Sequence, residues 1–356
     1  MAKGSRLKTV EASGTYEDIG RKLGSTCKRE ISLMLSAAKA SFKRESRDWN
    51  KACLNLRKYV PFVEGYNADQ LSFMKGYAKG SGLSFEEVFV LFCLDEEGLC
   101  TDVMVNGGAT EDGSVYAAHT EDWTAESQGF LVLVRAKPKD KPAVLVMTHG
   151  GLEWITGINS AGISISGNSL YQNDTRVGIP KLVIAPKVLA SETLGEALAA
   201  SAPPSRASSY CNNICHSSGE MYSIEGSATD FAALYPEDGF LVHTNHYLHP
   251  MMTKYEDLFG DTGRRTLEGC SGTIIRYNRA RRLAKKSLGG VTLDTLSDIM
   301  RDHVNHPDSI CSHPLEDMPE HSRSKTTYAV MMDMTEMKMH ICVGNPCEDE
   351  FVPHSL

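Results

Sequence analysis

The sequence has no apolar run near the ~18 residues that a membrane-spanning helix requires. Its basic start, with Lys3, Arg6 and Lys8, has no apolar stretch behind it, which argues against a secretory signal and for a cytoplasmic protein. Cysteine is sparse, 10 in 356 residues, so the chain is not a disulfide-built scaffold. Basic residues are outnumbered, 37 against 45 acidic, and the net charge of −8 lacks the electropositive footprint of a nucleic-acid binder. No G-x-G-x-x-G follows a strand and no G-x-x-x-x-G-K-[ST] occurs, so dinucleotide and P-loop readings have no support. Cys211 and Cys215 beside His216, Cys311 with His313, and Cys342 with Cys347 lack the C-x-x-C or H-E-x-x-H spacing of a zinc site. They read as buried core thiols, and the expectation is no cofactor and no metal.

What is present is a chain long enough for a full core, as one large α/β unit or two domains. Its charge is uneven. Residues 1–99 carry 16 basic and 13 acidic residues, net +3, so the remainder carries 21 and 32, net −11. The same boundary separates two patterns. Thr15-Tyr-Glu-Asp18 is a capping box, followed by one apolar face through Ile19, Leu23, Cys27, Ile31, Leu35 and Ala38. Helical stretches follow near Trp49–Tyr59 and Asp69–Lys79, and Ser84-Phe-Glu-Glu87 caps another that Gly98 stops. From residue 101 the pattern turns to short β runs: Val103–Val105, Val115–Ala118, Phe130–Val134, Val144–Met147 and Ile163–Ser166. Glu111-Asp-Gly113 supplies turn chemistry between the first two. Helix returns at about 180–200, strands at Met221–Ile224, Phe231–Leu234 and Phe240–His243, and a basic helix at about Ile274–Leu288. The six basic residues from Arg276 to Lys286 spread around that helix, which reads as a solvated amphipathic face. A hairpin, Tyr328–Met332 with Lys338–Cys342, closes the chain, and the least ordered stretch is expected at His249–Thr273. Runs of helices and strands in this order indicate an α+β layered fold.

Two features have catalytic chemistry. Cys100 sits at the helix-to-strand boundary in Gly98-Leu-Cys-Thr101, and Val242-His-Thr-Asn-His246 ends a strand. Together with the segments between them they resemble the acyl-coenzyme A:6-aminopenicillanic acid acyltransferases, a family of self-processing cysteine N-terminal-nucleophile (Ntn) hydrolases. The resemblance runs from Gly14-Thr-Tyr-Glu-Asp-Ile-Gly20 through Cys100-Thr101, Glu111-Asp-Gly113 and His119-Thr-Glu-Asp-Trp123. It continues through Gly157-Ile-Asn-Ser-Ala-Gly162, Glu225 and His243-Thr-Asn-His246, and ends at Ser322-Arg-Ser-Lys-Thr-Thr327 before the strand Tyr328–Asp333.

The resemblance implies a four-layer αββα sandwich and action on amide bonds of small acylated molecules. It implies Cys100 as nucleophile, cleavage between Leu99 and Cys100, Asp122 beside the nucleophile's amine, Asn245 at the oxyanion, and Arg323 near the thiol. Thr101, His243 and Thr244 are supporting residues. The chemistry suits the types: thiol attack on the Leu99 carbonyl gives a thioester, water releases it, and the freed α-amine becomes the general base. Three positions depart from the family pattern: Leu99 replaces a glycine, Thr120 replaces an asparagine, and Glu121 adjoins Asp122. The implied protein is one domain made of two chains, 1–99 and 100–356, that stay together as a heterodimer, with a small acyl-amide substrate and no nucleic-acid or membrane partner. Hydrolysis is the leading reading, and acyl transfer to an amine acceptor the runner-up. A non-catalytic small-molecule-binding protein on the same fold stays open because Leu99 is not glycine, and a metal-binding thiol protein comes third.

Overall fold

The computed structural model describes residues 7–93, 99–257, 267–315, 317 and 323–356. Both predicted capping boxes form. Thr15 accepts from the Asp18 amide at the start of α1 (Tyr16–Thr26), and Ser84 from the Glu87 amide at the start of α6 (Phe85–Leu91). The single apolar face expected from Ile19 to Ala38 is two helices, because the chain breaks at Cys27 before α2 (Lys28–Arg44). The next stretch is α3 (Trp49–Asn55) with a short 3₁₀ turn, then α4 (Val60–Tyr66) and α5 (Ala68–Ser81). Gly98, the expected stop, and Ser322 lie outside the described residues, as does part of the stretch expected to be least ordered.

Two sheets follow. The eight-stranded sheet orders β1 (Lys8–Gly14), β4 (Leu131–Pro138), β5 (Val144–His149), β6 (Glu153–Asn159), β7 (Ile163–Ser169), β8 (Tyr210–His216), β9 (Met221–Gly226) and β10 (Phe231–Leu234). The six-stranded sheet orders β11 (Phe240–His243), β2 (Leu99–Val105), β3 (Tyr116–Thr124), β12 (Ser324–Asp333), β13 (Lys338–Val343) and β14 (Val352–Ser355). Strands β1, β6, β8 and β14 had no counterpart in the sequence reading. In β6 and β8 burial on both faces and internal polar residues blur the alternation, and β1 and β14 are edge strands with little buried surface.

Alternation along each strand then sets the layers. Val132, Val134 and Val146 face α1, α2, α5, α6, α7 (Ile184–Leu189) and α8 (Leu194–Ser201). Leu133, Leu145 and Met147 meet Met104, Ala117 and Val330 between the sheets. Val103, Val105 and Ala118 face α9 (Leu267–Lys286) and α10 (Leu293–Met300). The order is helix, sheet, sheet, helix, the αββα sandwich that the resemblance implies. No helix among the described residues is long and apolar enough to cross a membrane.

The first hundred residues are integral to this stack. Strand β1 pairs in parallel with β4, and Ile19, Leu23, Phe73 and Tyr77 share a core with Val134 and Trp154. The ion pair Arg135–Glu11, which crosses between the two halves, puts its acid on the N-terminal side, opposite to the net-charge split. Apolar packing, not opposite charge, makes this joint.

Within the first hundred residues the closest helix packing is between α1 and α5. Cβ atoms at Gly20 and Gly24 would run into the carbonyl oxygens of Phe73 and Tyr77, and at Gly76 and Gly80 into those of Glu17 and Arg21. Gly24→Ala or Gly76→Ala should therefore cost roughly 1–3 kcal/mol of stability in urea denaturation. Gly65→Ala, in α4 with open space around it, should stabilise by about 0.5–1 kcal/mol. Equal effects at all three positions would contradict the packing argument.

Candidate active site

The site forms where β11 ends. It pairs with β2 as far as His243 opposite Asp102, and there the chain turns away. Two residues further along β2, the backbone groups of Cys100 that would continue that ladder need other partners. The Cys100 amide donates to Asn245 Oδ1 at 2.9 Å, and the Cys100 carbonyl accepts from Arg276 Nη1 at 2.6 Å. Arg276 also donates to Thr101 Oγ1 (3.0 Å) and, through Nη2, to Asn245 Oδ1 (2.8 Å). Asn245 Oδ1 thus collects two obligatory donors, while its Nδ2 donates to the Ser169 carbonyl at 3.1 Å, so the orientation of the amide is fixed by its partners.

Cys100 pairs with Glu121 across β2 and β3, so their side chains share the face between the sheets. Cys100 Sγ lies 3.9 Å from Glu121 Oε1. Glu121 Oε2 lies 3.2 Å from His119 Nε2, and His119 Nδ1 lies 2.9 Å from Asp102 Oδ2. Asp102 also accepts from Ser166 and from Asn168 (2.7 Å), both on β7, so this buried chain of polar groups ties the sheets together at the thiol. Burial opposes the charge on His119, but Asp102 and Glu121 outweigh it and hold the imidazole up to about 10. Burial, reinforced by Glu121, Asp102 and Asp122 and opposed by Arg276, pushes the Cys100 thiol well above its ordinary value. A thiol so placed needs a base before it can attack.

Asp122 and Leu99 are opposite each other and point to the α9 side. Asp122 Oδ1 accepts from Thr326 Oγ1 at 2.6 Å, while Oδ2 is buried with no hydrogen-bond partner. Burial raises this carboxyl to about 7, with Arg276 and Thr326 pulling the other way. Beside the thiol is a narrow cavity of about 20 Å³, room for about one water molecule. Its wall is apolar at Ile155, Ile165, Leu182, Ala185 and Tyr210, and polar at Glu121, Thr156, Ser166 and Asn212.

The expected residues Cys100, Thr101, Asp122 and Asn245 are therefore brought together. Cys100 is the second residue of a strand rather than a boundary residue. His243 and Thr244 do shape the turn that carries Asn245: His243 Nε2 meets Glu225 Oε1 at 2.9 Å, and Thr244 Oγ1 donates to the Thr273 carbonyl. Asn245 does not direct its Nδ2 at the Leu99–Cys100 junction, where an oxyanion would form, because its oxygen is engaged there. The cation hydrogen-bonded to Cys100 is Arg276, expected on a solvated helix face but 1% exposed. Arg323 precedes β12, its carbonyl accepting from Ala125. Arg279, Arg281 and Lys285 do pair at the surface, with Asp302, Glu237 and Asp238. Asp102 was not singled out from the sequence, His119 stood only within a motif, and Glu121 only as the neighbour of Asp122. Pairing β2 with β3 through the turn at Glu111–Gly113 is the signal that places Glu121 opposite Cys100.

Residues 109–348 match the family described as acyl-coenzyme A:6-aminopenicillanic acid acyl-transferase. The 40 kDa form of the acyl-coenzyme A:6-aminopenicillanic-acid-acyltransferase of Emericella nidulans is 23% identical over 348 residues, 95% of this chain and 92% of that protein. Among solved structures, a variant of conjugated bile acid hydrolase from Clostridium perfringens aligns with a TM-score of 0.48 at 13% identity, covering 72% of this chain and 97% of its own. Penicillin V acylase from Agrobacterium tumefaciens aligns with a TM-score of 0.46 at 13% identity, over 68% and 83%.

The Asp122 environment predicts a pH signature. Folding raises its carboxyl from 3.8 to about 7, so the protonated form favours the fold. That contribution is complete below about pH 4 and is lost as pH rises through about 7. Asp122→Asn keeps a neutral isostere at every pH. In a Cys100→Ala background its stability relative to the parent should climb between pH 4 and 8, by up to about 4 kcal/mol, measured by urea denaturation. A pH-independent difference would contradict the assignment.

Proposed function

The chain belongs to the acyl-coenzyme A:6-aminopenicillanic acid acyl-transferase family, and from that premise we propose that it is a self-activating cysteine N-terminal-nucleophile amidohydrolase of small acylated molecules. The observation that carries this reading is the hold on Cys100: both of its backbone polar groups are tied to Asn245 and Arg276, while its thiol faces Glu121 beside a buried cavity.

Self-cleavage begins when Glu121 takes the Cys100 thiol proton and Sγ attacks the Leu99 carbonyl carbon. The Leu99–Cys100 C–N bond breaks as a proton reaches the departing nitrogen, which Asn245 Oδ1 already holds. Water then hydrolyses the Leu99 thioester, leaving a carboxylate on chain 1–99 and a free thiol and α-amine on Cys100. The amine, with an ordinary pKa of about 8, is the base for turnover, so nucleophile and base sit on one residue. Arg276 disfavours the ammonium form by its charge, and Asp122 Oδ2, buried without a partner, is a ready acceptor for the amine's protons.

In turnover the amine takes the thiol proton and Sγ attacks the substrate amide carbonyl. The leaving amine departs with a proton, and water releases the acyl group, placed against Ile155, Ile165, Leu182 and Ala185. An amine acceptor in place of water makes the enzyme an acyltransferase. Arg323, just before β12, is the cation assigned to a substrate carboxylate in this reading. The two chains remain one cytoplasmic heterodimer because their joint is β-ladder and core.

Intact mass measurement should give two chains, 1–99 and 100–356, for the wild type and one for Cys100→Ala. A wild type that stays whole after prolonged incubation would sink the mechanism and leave the binding-protein reading. Turnover of an acyl p-nitroanilide with the amine acceptor 6-aminopenicillanic acid present separates the two activities: its N-acyl amide marks a transferase, free acid alone a hydrolase.

The two arginines give a second test. Losing the hold of Arg276 on the Cys100 carbonyl and on Asn245 should misplace the thiol and slow self-cleavage about 100-fold in Arg276→Met. Arg323→Met should leave that rate within about three-fold and raise KM for carboxylate-bearing substrates. Time courses of chain separation decide it, and the reverse ranking would assign the cation to Arg323.

A further inference from the structure

Away from the active site, four side chains with metal-ligating chemistry converge. His303 follows α10, Cys311 and His313 lie on the segment leading to β12, and Cys347 follows β13. Their donor atoms all lie within 4.8 Å of one another. His303 Nε2 is 3.1 Å from His313 Nε2, and Cys311 Sγ is 3.6 Å from Cys347 Sγ. His313 Nε2 is 3.5 Å from Cys311 Sγ and 3.4 Å from Cys347 Sγ. A tetrahedral zinc with Zn–S of ~2.3 Å and Zn–N of ~2.05 Å has edges of about 3.8 Å between sulfurs, 3.3 Å between nitrogens and 3.6 Å between unlike ligands. The four measured edges fall within about 0.3 Å of these.

Hydrogen bonding does not explain the cluster. His313 Nε2 has one proton or one lone pair, yet three heavy atoms approach it at 3.1–3.5 Å. A central cation resolves the crowding, since each ligand directs one lone pair to it. The surroundings suit a thiolate: Asn345 Nδ2 donates to Cys311 Sγ at 3.6 Å while also holding the Ser312 carbonyl at 2.6 Å. The donor set of two thiols and two imidazoles is that of a closed structural zinc site, with no open position for chemistry.

We propose that His303, Cys311, His313 and Cys347 bind one structural zinc ion. Binding converts two thiols to thiolates and releases two protons per zinc. The sequence spacing hid the cluster, because its members come from three segments that only the fold brings together, and the proposal stands against the expectation of inert thiols and no metal. The ion fastens the segment before β12 to the turn after β13. Ser312, between two ligands, donates from its amide to Thr326 Oγ1 at 2.9 Å and accepts from the Thr326 amide at 3.0 Å. Thr326 is the residue that donates to Asp122. The zinc thus supports the active site from behind without touching substrate.

The test uses the full chain as purified. Elemental analysis after desalting should give one zinc per chain, and Cys347→Ser and His303→Asn, both at exposed positions, should fall to background. Cys100→Ala should keep its zinc, which separates this site from the Cys100, His119 and Glu121 group. Replacing zinc with cobalt in the wild type should produce the intense visible bands of a tetrahedral site together with thiolate-to-cobalt charge transfer, and these need no variant to fold. Chelation should lower Tm. A zinc-free wild type with no cobalt spectrum would overturn the proposal, and so would a Cys311–Cys347 disulfide in the mass spectrum or zinc lost only in Cys100→Ala.

Discussion

The site depends on one unpaired stretch of strand edge. Strand β11 leaves β2 after His243, and Cys100, two residues beyond the last paired position, still presents an N–H and a C=O. Leaving either buried without a partner would cost on the order of 1–3 kcal/mol. The protein fills the gap with side chains, Asn245 below the turn and Arg276 from α9. A ladder hydrogen bond from another strand would satisfy the same groups, but under the proposed self-cleavage side-chain partners would let the backbone be cut here without dismantling a sheet.

Charge arrangement follows from that choice. Arg276 is buried, so its charge must be matched, and the nearby carboxylate is Asp122. On the other side of the strand, Asp102, His119 and Glu121 form a second buried set in which each imidazole nitrogen meets a carboxylate. Such sets are costly to desolvate and are tolerable only when each member is satisfied, which ties their positions to one another and to Ser166 and Asn168 of the facing sheet. Burial, reinforced by these carboxylates, pushes the Cys100 thiol up and keeps it protonated at rest. In the proposed mechanism the thiol would then be inert until a base takes its proton.

How much of this was legible in the sequence divides along physical lines. Local signals survived: both capping boxes, the helical first hundred residues, and the strand pairs around Glu111–Gly113 and Asp333–Glu336. Cys100, Asp122 and Asn245 were found because motif order carries them. Arg276 was misread because its neighbours Arg279, Arg281 and Lys285 are surface residues, and a helical wheel of basic residues does not say which one faces inward. Glu121 lost to Asp122 because adjacent carboxylates on a strand face opposite ways, and only the register says which way the thiol points. The cluster of His303, Cys311, His313 and Cys347 depends on contacts between residues up to 44 apart (303 to 347), which no local spacing rule reaches.

The charge split at residue 99 has a different meaning from the one its arithmetic suggests. Opposite net charges on two segments could hold them together, yet the ion pair across the joint runs against the split, and surface pairs of this kind contribute less than about 1 kcal/mol. Apolar contact does the holding: α1, α2 and α5 close over the eight-stranded sheet, and β1 pairs with β4. A joint of this kind is insensitive to salt and to pH. Cleavage at its margin, as proposed, would add a carboxylate and an amine but remove no buried apolar surface, so the same packing would hold the two chains.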